Sequence, residues 1–126
     1  MIVVDSDVLI DALRGRQPSA GQVRRGLEAG TLATTAVTVF ELLSGARGPK
    51  QRESVDALLD ALPVLPFDQA AGRAAALLRR ELEDRGQGIG MADYLIAGLC
   101  VSRSASLLTR NRKHFERIES LRLAES

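Results

Sequence analysis

Short apolar runs, each followed directly by a helical pattern, recur along this chain and restrict its fold more than any other feature. Ile2 to Val4 is a β-branched run with no polar face, and apolar residues at helical spacing follow it until Gly15. Leu32 to Thr35 is a second run, followed by a helical apolar face that ends at Gly45. Strands without a polar face are typical of parallel sheets that are buried on both sides. The alternation therefore predicts an α/β fold, a three-layer α/β/α sandwich around a short, mostly parallel sheet.

The rest of the sequence fits the same scheme. Further helices are expected at residues 22–29, 51–62, 69–85 and 91–101. Asp68 precedes the third of these helices and is expected to cap it. The remaining strand candidates are residues 64–65 and 106–109, with a further candidate at the edge over 121–123. The sheet is therefore expected to have four or five strands. A chain of 126 residues without repeats or linkers predicts one domain, residues 1–126.

Composition argues against several classes of function. Seventeen Lys and Arg against sixteen Asp and Glu give a net charge of +1, so any affinity for nucleic acid has to come from local patches. Aromatic residues make up only 3% of the chain, which counts against a module that stacks bases on aromatic rings. The single cysteine, Cys100, excludes an internal disulfide. Because the sequence also lacks a membrane-spanning stretch and a basic signal-peptide start, we expect a cytoplasmic protein without membrane association.

Acid and amide side chains from four separate segments are expected at the carboxyl edge of the sheet, where ligands bind in such folds. Asp5 follows the first strand, Glu41 lies early in the helix after the second, and Asp93 lies in the first turn of the helix after Gly88-Ile89-Gly90. Asn111 follows the fourth strand. Clustered carboxylates raise one another's pKa, so such a cluster at neutral pH requires a divalent cation. Oxygen ligands without His or Cys favour Mg²⁺ or Mn²⁺ over zinc.

Each of these residues also has a purely structural interpretation. The stretch from Thr38 to Glu41 fits a capping box, and Asp93 in a first helical turn stabilises the helix dipole. Asn111 is a common turn former. Asp5 could be the N-cap of the first helix, although Ser6 or Asp7 could provide that cap instead. Asp7 is either that cap or a further acid at the metal, and Asp11 is expected to be solvated.

The only histidine, His114, limits the alternatives further. One histidine is too few for a zinc site, and no nucleophile elbow precedes a helix, so no Ser/His/Asp triad is visible. An acid-base role is the alternative for His114, but a surface position in an arginine-rich turn is expected. Neither a P-loop nor a dinucleotide-binding glycine motif occurs in the sequence.

Four motifs in order resemble those of one known family. They are VDSDVLID at residues 4–11, TVFELLSG at 38–45, GMADYLIAGLC at 90–100 and LLTRNRKHF at 107–115. Together they resemble the PIN-domain ribonucleases, and more closely the VapC toxins of bacterial toxin–antitoxin pairs. The resemblance runs over essentially the whole chain.

The resemblance implies a metal-dependent endoribonuclease in which Asp5, Glu41 and Asp93 hold Mg²⁺ or Mn²⁺. The fourth acidic position of the family falls on Asn111, so this chain departs from the four-acid form. Four supporting residues are implied or suggested beside the site: Ser6 and Thr109 as hydroxyl groups, and Arg110 and Arg112 as phosphate contacts. In this mechanism a metal-activated water attacks a phosphodiester of RNA.

The family also implies partners. A homodimer and a VapB-like antitoxin are expected, with a basic side chain of the antitoxin tail in the acidic site. Two apolar segments are candidate contact surfaces or core: residues 39–43 and the helix carrying Val55, Leu58 and Leu59.

Three alternatives stay open at this point. Asp5-Ser6-Asp7 after a strand also resembles the haloacid-dehalogenase phosphatases, although Leu9 and the late position of Lys113 do not fit that pattern. A response-regulator receiver would use Asp68 as its phosphoacceptor but would leave Glu41 without a role. A non-catalytic RNA-binding domain of the same fold is the third alternative.

Overall fold

The computed structural model describes residues 1–125. In these residues helices and strands alternate through most of the chain. The elements are β1 (Ile2–Val4), α1 (Ser6–Leu13), α2 (Ser19–Ala29), β2 (Leu32–Thr35), α3 (Ala36–Gly45), α4 (Gly48–Asp60), β3 (Val64–Leu65), α5 (Gln69–Asp84), α6 (Met91–Ser102), β4 (Ser106–Leu108) and α7 (Arg112–Phe115).

The four strands form one parallel sheet in the order β3-β2-β1-β4. The predicted fifth strand forms only an isolated parallel bridge, in which Leu123 pairs with Leu107. The Leu107 N–H donates to the Arg122 carbonyl at 2.9 Å, and the Ala124 N–H donates to the Leu107 carbonyl at 2.8 Å. The segment after α7 therefore covers the free edge of β4 without extending the sheet by a full strand.

Successive residues of β1 point into two different cores, which confirms the three-layer arrangement. Val3 belongs to a cluster built with α5 and α6, and Val4 belongs to a cluster built with α1, α2 and α4. Both side chains are fully buried. Alternate residues of a strand face opposite sides, so a strand covered by helices on both sides is apolar throughout.

The helix caps agree in part with the interpretations drawn from the sequence. Asp5, not Asp7, caps α1 by accepting the Ser6 N–H at 2.8 Å. Thr35 caps α3 by accepting the Thr38 N–H at 3.0 Å, so the predicted capping box from Thr38 to Glu41 is wrong. Each helix begins directly at the end of a strand, and the residue at that junction is the one placed to cap it. Asp68 caps α5, as predicted.

Two helices extend beyond the predicted pattern. The second helix begins at Ser19 rather than residue 22, and the four-residue α7 was not expected. Phe115 at the end of α7 is fully buried in the α5–α6 core, which explains why this short turn is ordered there. No helix within residues 1–125 has the length and apolar character needed to cross a membrane.

Candidate active site

Asp5 lies at the junction of β1 and α1, at the carboxyl edge of the sheet. Its side chain is buried, with 6% of the residue exposed. One carboxylate oxygen accepts the Ser6 N–H, and the other accepts the Thr109 hydroxyl at 2.8 Å. Thr109 directly follows β4, the strand that pairs with β1. The parallel pairing of these strands therefore brings residues that lie 104 positions apart into contact.

Burial and neighbouring charge act together on the Asp5 carboxyl group. Burial, and next the charge of Asp7, raise the pKa of Asp5 to about 7, with a smaller contribution from Asp93. The Thr109 hydroxyl and the Ser6 N–H oppose this rise, because they bind the ionised form. A carboxylate in this position binds either a proton or a cation more readily than a solvated one.

Glu41 and Asp93 are the other two predicted metal ligands, and neighbouring charges act on the carboxyl group of each. Burial raises the pKa of each, and the charge of Asp7 adds to the rise in both. The Ser6 side chain lowers the pKa of Glu41, and His114 lowers that of Asp93. One carboxylate oxygen of Glu41, Oε1, is buried and has no hydrogen-bond partner. An unpaired buried carboxylate oxygen is costly unless a cation or donor meets it.

Asn111 and His114 form a polar pair beside these acids. The Asn111 side-chain nitrogen lies 2.9 Å from His114 Nδ1, and the same ring nitrogen lies 3.7 Å from Asp93 Oδ2. The histidine side chain is 44% exposed, so it lies at the surface as predicted, but it also borders the acidic residues. Sequence reasoning missed its proximity to the site because α7 was not predicted; a helix starting after Asn111 places residue 114 near it.

The role of Asp7 left open by the sequence is resolved in part. Asp7 is not a helix cap; its carboxylate accepts the Arg110 backbone N–H at 3.1 and 3.3 Å. Asp11 is 8% exposed and forms an ion pair with the Arg110 guanidinium, so the prediction of a solvated Asp11 is wrong. Asp7 and Asp11 both bind Arg110, because residues four positions apart lie on the same face of a helix.

The other predicted supporting residues have protein partners. Ser6 lies beside Glu41, and the Arg112 guanidinium donates to the Ala124 carbonyl at 3.0 Å. The Arg110 side chain remains 60% exposed despite its bond to Asp11. Each arginine carries five N–H donors, so both keep donors for another ligand.

The donor set at this edge fits a hard divalent cation. Within residues 1–125, no three Asp, Glu, His or Cys side chains already lie close enough together to hold a metal ion. Mg²⁺, however, needs only one or two carboxylates, because it keeps several of its waters. A cation bound at this edge would give the unpaired Glu41 oxygen a partner. It would also lower the raised pKa of Asp5 and of Asp93, because it favours their ionised forms. Asp5, Asp93 and Glu41 are therefore the residues that would hold it.

Comparison with known proteins identifies the family. The PIN-domain profile matches residues 2–121. Ribonuclease VapC10 of Mycobacterium tuberculosis is 36% identical over 122 residues, which cover 97% of this chain and 91% of the relative. The tRNA(fMet)-specific endonuclease VapC of Shigella flexneri is 29% identical over 124 residues, covering 95% and 93%.

Solved structures agree with this similarity. The structure of VapBC2 from Rickettsia felis bound to a promoter DNA fragment matches with a TM-score of 0.89 and 26% identity, covering 98% of both chains. DNA-bound VapBC from Salmonella typhimurium matches with a TM-score of 0.87 and 27% identity, covering 98% of this chain and 96% of that one.

The fold and its acidic edge thus define a PIN-domain protein. The chain belongs to this family and, through its relatives, to the VapC ribonucleases. PIN-domain ribonucleases are generally dependent on a divalent metal, in keeping with the all-oxygen donor set at the edge of this sheet.

Proposed function

We propose that this protein is an Mg²⁺- or Mn²⁺-dependent endoribonuclease and the toxin of a toxin–antitoxin pair. We further propose that residues 1–126 act as one domain and work in the cytoplasm, where the RNA substrate is found. The observation that carries the proposal is the meeting of a buried Asp5 with the half-buried Glu41 and Asp93, all three with a raised pKa, in a chain of the VapC family.

In the proposed mechanism each residue at the carboxyl edge of the sheet has its own role. Asp5 and Asp93 would hold the cation, with Glu41 as a direct or water-mediated ligand. Thr109 fixes one oxygen of Asp5 by its hydroxyl, which sets the direction of the other. A divalent ion held there would supply positive charge toward a phosphate oxygen and would lower the pKa of a water for attack on phosphorus. The products carry 3′-hydroxyl and 5′-phosphate ends.

Asn111 occupies the position where many relatives have an acid. Its neutral amide contributes no charge to the cation, and it can orient a water instead. Because its nitrogen is paired with His114, the amide oxygen is the atom we propose for this role. Arg110 and Arg112 are proposed to contact RNA phosphates through the donors that Asp11 and Ala124 leave free.

A groove beside the acids supports a VapB-like antitoxin as partner. Its volume is about 360 Å³, and its lining comes from α1, α3 and α4. Glu41 lies in this lining together with Ile10, Leu13 and Val55, so one groove joins an apolar surface to the acidic site. We propose that an apolar segment of the antitoxin occupies the groove and that a basic side chain next to it neutralises the acids. VapC relatives are found with a VapB partner in the solved complexes.

The other candidate segment from the sequence divides between core and surface. Leu42 is 3% exposed, whereas Phe40 is 71% and Leu43 is 37% exposed. A homodimer is proposed through exposed apolar side chains such as Phe67, Leu77 and Met91 on or next to α5 and α6.

The test is an RNA cleavage assay. Purified protein is incubated with total cellular RNA in Mg²⁺, Mn²⁺ or EDTA, and the new 5′ ends are mapped. We expect cleavage with either metal, none with EDTA, and a loss of about a hundredfold or more in Asp93→Asn. Asp60→Asn, which changes an exposed acid at the end of α4, serves as the matched control.

The outcomes separate this function from its rival. Cleavage that survives both EDTA and Asp93→Asn would overturn the metal-dependent mechanism. RNA binding without cleavage under every metal condition would instead favour a non-catalytic RNA-binding domain of the same fold.

A further inference from the structure

The 109–111 loop, which joins β4 to α7, carries two of the residues assigned to the site. Thr109 donates its hydroxyl to Asp5, and the Asn111 N–H donates back to the Thr109 hydroxyl oxygen at 3.0 Å. The position of this loop therefore sets the position of the Asp5 carboxylate and of the Asn111 amide together.

Two acids of α1 hold this loop from the other side. The Arg110 backbone N–H donates to both carboxylate oxygens of Asp7, and the Thr109 hydroxyl lies 3.5 Å from one of them. The Arg110 guanidinium is bound by Asp11, one helical turn further along α1. Arg110 is thus attached to α1 twice, once through its backbone and once through its side chain.

The burial of Asp11 favours an attachment over a chance surface pair. Asp11 is 8% exposed, and Arg16 lies 4.0 Å from its other oxygen, so two arginines compensate its charge. Exposed ion pairs fix little geometry, but a buried acid bound by arginine does. A hydrogen bond from a backbone N–H to a carboxylate fixes the backbone itself, which a side-chain pair does not.

We propose that Asp7 and Asp11 are positioning residues, which hold the 109–111 loop on α1 and so align Thr109 and Asn111 with the cleavage site. This inference rests on the proposed ribonuclease function and gives Asp7 a role as an acceptor for Arg110. Displacing a supporting group by about 1 Å is enough to reduce a rate strongly, so loss of the attachment lowers turnover more than binding.

The first experiment uses the metal-free protein and needs no activity. Amide hydrogen exchange at Arg110 is followed by NMR in EDTA for wild type, Asp7→Ala and Asp7→Asn. In Asp7→Ala we expect exchange at Arg110 to rise about tenfold, the size expected for one lost bond to a charged acceptor. Asn keeps an acceptor oxygen, so Asp7→Asn stays within about threefold of wild type.

The second experiment follows turnover at saturating Mg²⁺ on one RNA that the wild type cleaves. We expect Asp7→Ala to lower kcat about tenfold or more with little change in KM, and Asp7→Asn to restore most of the kcat. Asp11→Asn and Arg110→Ala both break the Asp11–Arg110 contact, so each is expected to lower kcat, and their effects on kcat should combine less than additively in the double variant. Arg110→Ala also removes a proposed phosphate contact and is therefore expected to raise KM as well. Asp60→Ala is the matched control.

The results separate the attachment from its alternatives. Wild-type exchange at Arg110 in Asp7→Ala would overturn the attachment. An Asp7→Asn variant as slow as Asp7→Ala would overturn it too, because charge at the cation rather than acceptance from Arg110 would then be the requirement. If the wild type cleaves no RNA, the proposed function fails, and the exchange measurement alone decides whether Asp7 holds the loop.

Discussion

The helix pair α5–α6 buries apolar side chains, whereas the carboxyl edge of the sheet buries polar ones. In the helix pair, Gly98 lies against Ala75, and large apolar side chains such as Leu82 and Ile96 fill the core around them. At the edge, the buried positions hold Asp5 and Thr109. One region gains free energy from apolar burial, whereas the other buries groups that burial disfavours.

This difference indicates that the helix pair stabilises the folded protein, whereas the acidic edge destabilises it when no cation is bound. Apolar packing in the helix pair is complete without any ligand. The acids at the edge raise one another's pKa, and one Glu41 oxygen has no partner, so this region is completed only when something cationic binds. Substitutions in the two regions should therefore have opposite effects on the metal-free protein.

The largest effect is expected at Gly98. A Cβ at this position would lie 2.5 Å from the Ala75 backbone nitrogen and 2.6 Å from its Cα, and backbone atoms cannot move aside as a side-chain end can. Gly98→Val should lower the free energy of unfolding by about 3 kcal/mol, measured by chemical denaturation. Gly45→Ala is the matched control, because nothing lies within 4 Å of a Cβ there, and it should change stability by less than about 0.5 kcal/mol. Equal effects of the two substitutions would contradict the close helix packing.

The opposite sign is expected at Asp5. Its folded pKa of about 7 lies above its ordinary 3.8, so its contribution to stability is fully present below pH 3.8 and is lost as the pH rises through 7. In EDTA at pH 8, Asp5→Asn should therefore raise the free energy of unfolding, on the order of 2 kcal/mol. Asn caps a helix as well as Asp does, so the cap of α1 is kept.

The pH dependence provides the control for this prediction. The gain from Asp5→Asn should grow between pH 4 and pH 7 and then level off, as followed by thermal unfolding in EDTA. A variant that is less stable than wild type at pH 8 would show that the Asp5 carboxylate is already compensated in the metal-free protein.

A smaller effect is expected when the cation is added. Mg²⁺ or Mn²⁺ should stabilise the wild type by about 1.4 kcal/mol at ten times its Kd, because it binds the folded edge only. The midpoint of thermal unfolding measures this gain. Glu41→Gln should reduce the gain at the same metal concentration, whereas Glu53→Gln, which changes an exposed acid of α4, should keep it. Equal gains in both variants would remove Glu41 from the metal site.

The sequence predicts the architecture well, because the alternation of strands and helices in this chain depends on local patterns. It also predicts the place of Asp5, Glu41 and Asp93 in the fold, because Asp5 directly follows β1, Glu41 lies in the helix that directly follows β2, and Asp93 lies in the first turn of α6. The sequence does not predict contacts between residues that lie far apart along the chain. The pairing of Asp11 with Arg110 joins residues 99 positions apart, so neither sequence neighbourhood indicates it.

Short elements and direct junctions account for the other differences. The four-residue α7 is too short for a hydrophobic period to show, so the sequence does not indicate that His114 lies near Asp93. The sequence leaves the α1 cap open between Asp5 and Asp7 and places the α3 cap at Thr38, because α1 and α3 begin at the very end of their strands, where Asp5 and Thr35 act as caps. At Asp5 the capping oxygen belongs to the same carboxylate that lies at the acidic edge, so the capping role and the proposed metal-binding role do not exclude each other.

The smallest effect is expected at Cys100, where the two regions meet. This thiol of α6 is fully buried; burial raises its pKa to about 12, and the charge of Asp5 adds to the rise. A thiol reagent at pH 8 should therefore label the native protein negligibly while it labels the protein in denaturant completely, because the thiolate is the reactive form. Asp5→Asn removes the smaller of the two causes and leaves Cys100 buried, so labelling of the native variant should stay equally slow, as mass spectrometry would detect. Rapid labelling of Asp5→Asn would mean that the charge at the edge, and not apolar packing, keeps this thiol unreactive, and the separation of the two regions would then be wrong.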